Sequence, residues 1–319
     1  MNPPTPAGSF TKISHSSVYP AISPLEALAG SAAHFTGSVL ITGSGRGIGR
    51  LAALNFARAG APKIVITARS SDELDEVEKL IKNDPKCGKT EVVKVVADVL
   101  HEEAVAKLFK AAGDVEVLIN NAGALETPAK IGASKADEWF RTWEVNVNGT
   151  YLPTRELLRC IEASPRSSPV TIINTSSIGS VVTYPGFSSY QPTKSAINRF
   201  TEFLHYEVGT SHAGEGDGTN LLLFFQYPET VRTFAYHPGG VMTKLSKAMG
   251  KFAEPLLQDD AELAGCYCLW LATQSSAEFL RGRYSSCNWD VTELVARKAE
   301  VEEKDLLFTV VAGVEPSRK

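Results

Sequence analysis

Tyr190 and Lys194 are four residues apart. On a helix such positions share a face, so a phenol and an ammonium can point into one cleft. A phenol with its ordinary pKa of about 10 is a poor acid–base catalyst at neutral pH. A nearby ammonium stabilises the phenolate and lowers that value. Ser177 lies 13 residues before Tyr190, in Asn174-Thr175-Ser176-Ser177. A hydroxyl there can hold a carbonyl or alkoxide oxygen by a hydrogen bond, as an oxyanion donor does. Ser176 is the near miss, one position off, and its side chain is expected to face another way. Together these residues suit proton transfer at a carbon–oxygen centre.

A second constellation lies near the other end of the chain. Thr42-Gly43-Ser44-Gly45-Arg46-Gly47-Ile48-Gly49 has the spacing G-x-x-x-G-x-G and sits between a predicted strand and a predicted helix. A glycine turn there lets backbone approach a pyrophosphate, and the helix N-terminus favours its negative charge. The Lys-Ser/Thr of an ATP-binding phosphate loop is missing, so a dinucleotide is the expected ligand, held by Gly43, Ser44, Arg46, Gly47, Ile48 and Gly49. NAD sites usually carry Asp or Glu about 20 residues further on. Counting from Gly49 reaches Arg69, whose guanidinium can pair with a 2′-phosphate in bidentate fashion. Arg46 adds a second cation, so NADP(H) is expected over NAD. Asp72 and Glu73 dissent, since either could reach a ribose hydroxyl.

The elements that must position these groups follow from pattern. Apolar runs predict strands at Val39–Thr42, Lys63–Ala68, Glu91–Ala97, Val115–Asn120, Val170–Asn174 and Val231–Tyr236. Helical periodicity predicts helices at Ile48–Ala59, from an N-cap at Ser71 to about Asn83, and at His101–Ala112, Ser134–Tyr151, Ser188–Gly209 and Ala261–Thr273. The strands are continuous apolar runs, so both sheet faces should be covered. Alternation of this kind predicts an α/β fold with a single Rossmann-type doubly wound parallel sheet flanked by helices. Ligands bind such sheets at the carboxyl ends of the strands.

Composition narrows the class. The 319 residues carry 32 Lys and Arg against 36 Asp and Glu, a net charge of −4, with no basic block. That argues against nucleic-acid binding, which needs a positive stripe. Hydrophobic content of 43% with 21% charged is a globular ratio. The longest apolar runs, Leu221–Phe225 and Leu306–Val314, are too short for a membrane span. The cysteines, Cys87, Cys160, Cys266, Cys268 and Cys287, number five and form no C-x-x-C pair. They read as free thiols in a reducing compartment, and no metal site is expected. No secretory signal is evident at the N-terminus, so a cytoplasmic location is expected. Residues 1–37 hold five of 17 prolines and read as an irregular arm, loose or laid across the body. Length alone suggests about two domains.

Six motifs in order revise that count. Besides the glycine loop, they are Asn120-Asn121-Ala122-Gly123, Asn146 in Val145-Asn146-Val147-Asn148, the Ser177, Tyr190 and Lys194 set, Pro238-Gly239 with Thr243, and Asp98 ending the third strand. Over roughly residues 38–295 the chain resembles the short-chain dehydrogenase/reductase family. The resemblance implies one catalytic domain between the arm and a tail at 296–319, with an insertion near 211–229. It implies a catalytic tetrad of Asn146, Ser177, Tyr190 and Lys194. Tyr190 would exchange a proton with the substrate oxygen as hydride passes between nicotinamide and carbon, and the positive charge of the oxidised nicotinamide would further lower its pKa. Lys194 would bind the nicotinamide ribose, Ser177 would orient the substrate oxygen, and Asn146 would kink its helix and support a water leading to Lys194. Asp98 would contact the adenine, Asn121 would lie beside the cofactor, and Pro238, Gly239 and Thr243 would cover the nicotinamide. A homodimer or homotetramer is implied by analogy.

Two stretches carry further expectations. In Val241–Asp260, Met242, Leu245, Met249, Phe252, Leu256 and Leu257 suggest an apolar pocket. The stretch Phe279–Tyr284 followed by Asn288–Leu294 resembles fungal members of the family that act in secondary metabolism. Tyr284 and Trp289 read as core residues there. The sum is an NADP(H)-dependent oxidoreductase interconverting a ketone and a secondary alcohol on a lipophilic small molecule such as a terpenoid or polyketide intermediate. The alternatives are an NAD-dependent alcohol dehydrogenase of the same fold and a non-catalytic cofactor-binding pathway partner.

Overall fold

The computed structural model describes residues 9–164, 168–208 and 231–310. The segment at 211–229, expected as an insertion, lies outside them, as do residues 311–319. Seven parallel strands form one sheet in the order β3-β2-β1-β4-β5-β6-β7. They are β1 (Ser38–Thr42), β2 (Lys63–Ala68), β3 (Glu91–Val96), β4 (Val115–Asn120), β5 (Val170–Thr175), β6 (Val231–His237) and β7 (Tyr284–Ser286). The order reverses between β1 and β4, and that switch point opens a crevice at the carboxyl ends of both strands.

Alternate residues of the buried strands feed two cores. Val39 and Ile41 of β1 face α1 (Gly47–Arg58), α2 (Ser71–Asn83) and α7 (Ala261–Thr273), while Leu40 faces the other way. The second core is closed by α3 (Glu102–Ala112), α5 (Gly149–Ala163) and α6 (Tyr190–Val208). A strand covered on both sides has no reason to alternate polar and apolar residues. β3 is the exception to the covering expected of every strand. It is the sheet edge, with Glu91, Lys94 and Val96 exposed, and charged residues on an edge discourage pairing with another chain.

The helix expected at Ser134–Tyr151 is different in kind. It starts at Ala136 as α4 (Ala136–Trp143), passes through a π-helical turn at Glu144–Asn148 and continues as α5 to Ala163. The wide turn interrupts the regular ladder shortly before Pro153, which lies inside α5 and has no N–H to give to it. The N-cap of α2 is Ser70 rather than Ser71: its hydroxyl accepts from Glu73 N. β5 and β6 each run one residue further than expected, to Thr175 and His237.

Residues 9–37 lie against α7 and the segment after β7. Ile22, Leu28, Ala32 and Phe35 are buried in the first core. Ser14 bridges Trp289 in antiparallel fashion, and His15 Nε2 pairs with Asp290 Oδ2 at 2.8 Å. Tyr284 and Trp289 are buried in the same core. The C-terminal helices α8 (Val291–Ala296) and α9 (Lys298–Glu303) complete this side.

Candidate active site

The glycine loop sits at the switch point, as its sequence context predicts. Gly47 has φ +55°, and an added Cβ would lie 3.5 Å from Thr243 Cγ2, so Thr243 leans over the loop. Gly49 is required by close approach, because an added Cβ would fall 2.5 Å from Asn121 Nδ2. Asn121 Nδ2 donates to the carbonyls of Thr42 and Gly43 at 3.0 and 3.1 Å. Thr42 Oγ1 accepts from the Asn121 and Ala122 amides. The Asn120-Asn121-Ala122-Gly123 segment thus fastens the loop to the carboxyl end of β4. Asn120 Nδ2 also donates to Asn174 Oδ1 on the adjacent strand and to Thr154 Oγ1, both at 2.9 Å.

The loop fits a dinucleotide. Helix α1 begins without a side-chain cap and without an acidic residue in its first turn, so its first N–H groups can receive an anion. Gly43, Gly47, Ile48 and Gly49 line the turn. Ser44 does not, contrary to expectation. Its hydroxyl donates to Ile41 O at 2.9 Å and accepts from Thr67 N at 2.8 Å, and its amide donates to Thr67 O. Ser44 is completely buried as a clasp between β1 and β2. Arg69 is exposed and has no hydrogen bond or ion pair among the described residues. Arg46 is tied to Glu73 in an ion pair. Asp98 is half-buried, with Oδ1 accepting from Leu100 N at 3.1 Å.

The residues expected to be catalytic converge at the carboxyl end of β5. Lys194 lies one turn after Tyr190, its Nζ 5.6 Å from the Tyr190 ring centroid and donating to Thr175 O at 2.7 Å. Burial pushes Lys194 down to about 8. The Ser177 hydroxyl hydrogen-bonds with the phenol and also accepts from Gly179 N. Ser176 turns the other way and donates to Asn198 Oδ1 at 2.5 Å.

The phenol departs from expectation. Burial raises Tyr190 above its ordinary value, the bond from Ser177 opposes the rise, and the Glu126 charge adds to it. Withdrawal from water disfavours phenolate, and the Lys194 ammonium is aimed at a carbonyl. His237, at the end of β6, is pushed down to about 4 by burial.

Asn146 sits inside the π-helical turn, fully buried. Its Oδ1 accepts from Ala124 N at 2.8 Å, and its Nδ2 donates to Ala124 O and Thr193 Oγ1. Its own carbonyl accepts from Thr150 Oγ1 at 2.8 Å. The irregular turn agrees with the expected kink and ties α6 to the loop after β4.

Pro238 and Gly239 follow β6. Here Asp259, not singled out in the sequence, accepts from Gly240 N at 2.6 Å and Asn288 Nδ2 at 2.9 Å. That pins both ends of the loop between Val241 and Asp259, which bridge each other. The Thr243 hydroxyl bonds with Ser246. Met242 and Leu256 of this loop are exposed, and the Phe252 side chain lies outside the described residues. Beside the catalytic helix, a cavity of about 790 Å³ is lined by Ile131, Val181, Tyr184, Pro185, Phe187 and Pro192, among others.

The model of the short chain dehydrogenase family matches residues 38–212. The chain belongs to the short-chain dehydrogenase family. It is an oxidoreductase of a kind that uses NAD(H) or NADP(H). It is 37% identical over 311 residues to short chain dehydrogenase mpl6 of Monascus purpureus, covering 95% of this chain and 97% of that one. It is 33% identical to short chain dehydrogenase andI of Emericella variicolor, covering 84% and 87%. These relatives are fungal, in line with the C-terminal resemblance. Among solved structures, the 3-ketoacyl-(acyl-carrier-protein) reductase of Brucella melitensis, complexed with NADH, matches with a TM-score of 0.64 at 25% identity, covering 79% of this chain and 96% of that one. A gluconate 5-dehydrogenase of Burkholderia cenocepacia, complexed with NADP and tartrate, shares the fold with a TM-score of 0.66 at 22% identity, covering 84% and 99%. Among the described residues, no helix is long and apolar enough to cross a membrane.

Proposed function

We propose that this short-chain dehydrogenase interconverts a ketone and a secondary alcohol on a lipophilic small molecule, a terpenoid or polyketide intermediate of secondary metabolism, using NADP(H). The observation that carries the reading is the meeting of Ser177, Tyr190 and Lys194 at the end of β5. A module that only binds a cofactor has no use for a phenol held between a hydroxyl and an ammonium. In this reading the bound nicotinamide supplies or accepts the hydride. Ser177 holds the substrate oxygen, and Tyr190 gives it a proton in reduction or takes one in oxidation. Lys194 binds ribose and restrains the phenol. Asn146 keeps α6 in register with the loop after β4.

Arg69 supports the choice of NADP(H), because an exposed, unengaged guanidinium beside the loop can receive a 2′-phosphate. Exposed Met242, Leu256, Ile131 and Val181 support a lipophilic substrate. The α5 and α6 surfaces leave Tyr151 and Phe203 exposed, which supports a homodimer or homotetramer. Residues 38–295 are proposed as one catalytic domain in a cytoplasmic protein, consistent with the free cysteines. A second reading, an NAD-linked enzyme of the same fold, draws on Glu73, which neutralises Arg46.

The test is oxidation of NADPH and NADH with a panel of apolar cyclic and polyketide-like ketones. Turnover with NADPH well above that with NADH is expected. Equal rates support the NAD reading, and tight NADPH binding without any turnover supports a non-catalytic partner.

A further inference from the structure

A buried acid, Glu126, stands at the start of α6, three residues beyond the Asn-Asn-Ala-Gly motif and only 5% exposed. Its Oε1 accepts from Ser189 N at 2.9 Å and Tyr190 N at 3.1 Å, and its Oε2 also accepts from Tyr190 N at 3.1 Å. The two amides precede and open α6. The side chain of the cap residue ordinarily accepts from the second or third helical amide and leaves these two to another acceptor. Here Ser189 is that residue, and its hydroxyl is turned away, donating to Trp139 O at 2.6 Å. A carboxylate from a distant loop is the other acceptor.

That loop also receives Asn146 at Ala124 and Thr42 at Asn121 and Ala122. One strap of residues 121–126 therefore touches the glycine loop, the π-helical turn and the backbone of Tyr190. We propose that Glu126 is a positioning residue: its carboxylate seats the first turn of α6 and so holds the Tyr190 phenol against Ser177. The inference rests on Tyr190 being the acid–base group.

Burial of a carboxylate is costly unless it is hydrogen-bonded. Glutamine would satisfy the same amides with one oxygen and carry no charge. The charge is a second handle on the phenol, because an anion beside it opposes phenolate. The charged and titratable groups facing Tyr190 among the described residues are Lys194 on its own helix and Glu126 from the loop after β4. Ser177 faces it from the end of β5 as a hydroxyl.

The experiment compares wild type, Glu126→Gln and Glu126→Ala. Protein carrying tyrosine labelled with ¹³C at Cζ is followed by NMR from about pH 7 to about pH 12, through and past the ordinary phenol range, because burial raises Tyr190 above it. The Tyr190 resonance is assigned by its loss in Tyr190→Phe. In Glu126→Gln, ionisation is expected to begin at lower pH, with the melting temperature within about 2 °C of wild type. In Glu126→Ala, turnover is expected to fall about tenfold, with NADPH affinity unchanged within twofold. An unmoved Tyr190 titration in Glu126→Gln overturns the proposal and leaves Glu126 as an ordinary helix cap. If Glu126→Ala does not fold, the glutamine variant decides alone. A shifted titration in a protein that turns over no substrate upholds the link from Glu126 to Tyr190 while refuting the proposed activity.

Discussion

The two ends of the crevice are built on different principles. At the catalytic end, Asn146, Ser177 and Lys194 are buried, and each makes hydrogen bonds to the protein. At the end expected to hold the adenosine, Arg69 is exposed and unengaged, and Arg46 and Glu73 pair at the surface. Preorganised dipoles in a dry site need no rearrangement at the moment of reaction. Exposed charges are screened by salt and act as adjustable selectors. The proposed chemistry therefore rests on fixed geometry at one end, and the proposed cofactor choice on charge at the other.

Substitutions at the two ends should differ accordingly. The largest effect is expected for Tyr190→Phe, which removes the phenol hydroxyl with its exchangeable proton and keeps the ring. Turnover should fall on the order of a thousandfold while NADPH still binds, read by cofactor fluorescence alongside steady-state rates. A variant retaining a tenth of wild-type activity would remove the phenol from the mechanism. Next is Asn146→Ala, which removes the side-chain partner of Ala124 N and Ala124 O and leaves Thr193 Oγ1 with its bond to Tyr190 O. Unfolding free energy should drop by about 2 kcal/mol in a denaturant titration. No change would show that the π-helical turn holds itself together.

Smaller effects belong to the exposed end. Arg69→Gln should weaken NADPH binding about tenfold and leave NADH binding alone, with the loss shrinking as salt is raised. Equal losses for both cofactors would place the guanidinium away from a 2′-phosphate. The smallest effect is expected for Glu73→Gln, which frees Arg46. NADPH affinity should rise by about two- to threefold, in keeping with the modest worth of an exposed pair. A fall in affinity would mean that Glu73 itself contacts the ribose, favouring the NAD reading.

What could be read along the chain follows the same division. β2, β4 and α7 lie within the predicted limits Lys63–Ala68, Val115–Asn120 and Ala261–Thr273. Buried strands are continuous apolar runs, and helix ends carry local signals. The glycine loop was legible because only glycine tolerates the positive φ at Gly47 and the approach of Asn121 to Gly49. The inward turn of Ser44 was not legible. Its partners, Ile41 and Thr67, lie on two strands brought together only by the sheet. The tie between Arg46 and Glu73 spans 27 residues, and no local pattern reports it.

Glu126 shows the limit most clearly. In the sequence it is one acid in a loop, between Leu125 and Thr127. In the fold it caps a helix that begins 64 residues later. Asp259 is similar, since its partners Gly240 and Asn288 lie 19 and 29 residues away. Local spacing and apolar pattern determine which elements form, where the chain must bend sharply and which residue types can exchange protons or bind phosphate, because those properties reside in neighbouring residues. The tertiary structure alone decides which polar groups face the crevice and which are consumed in holding it open. It also decides how far burial moves Tyr190, Lys194 and His237 from their ordinary titration. Hydrogen bonding and desolvation depend on what packs against a group, and its partners come from anywhere in the chain.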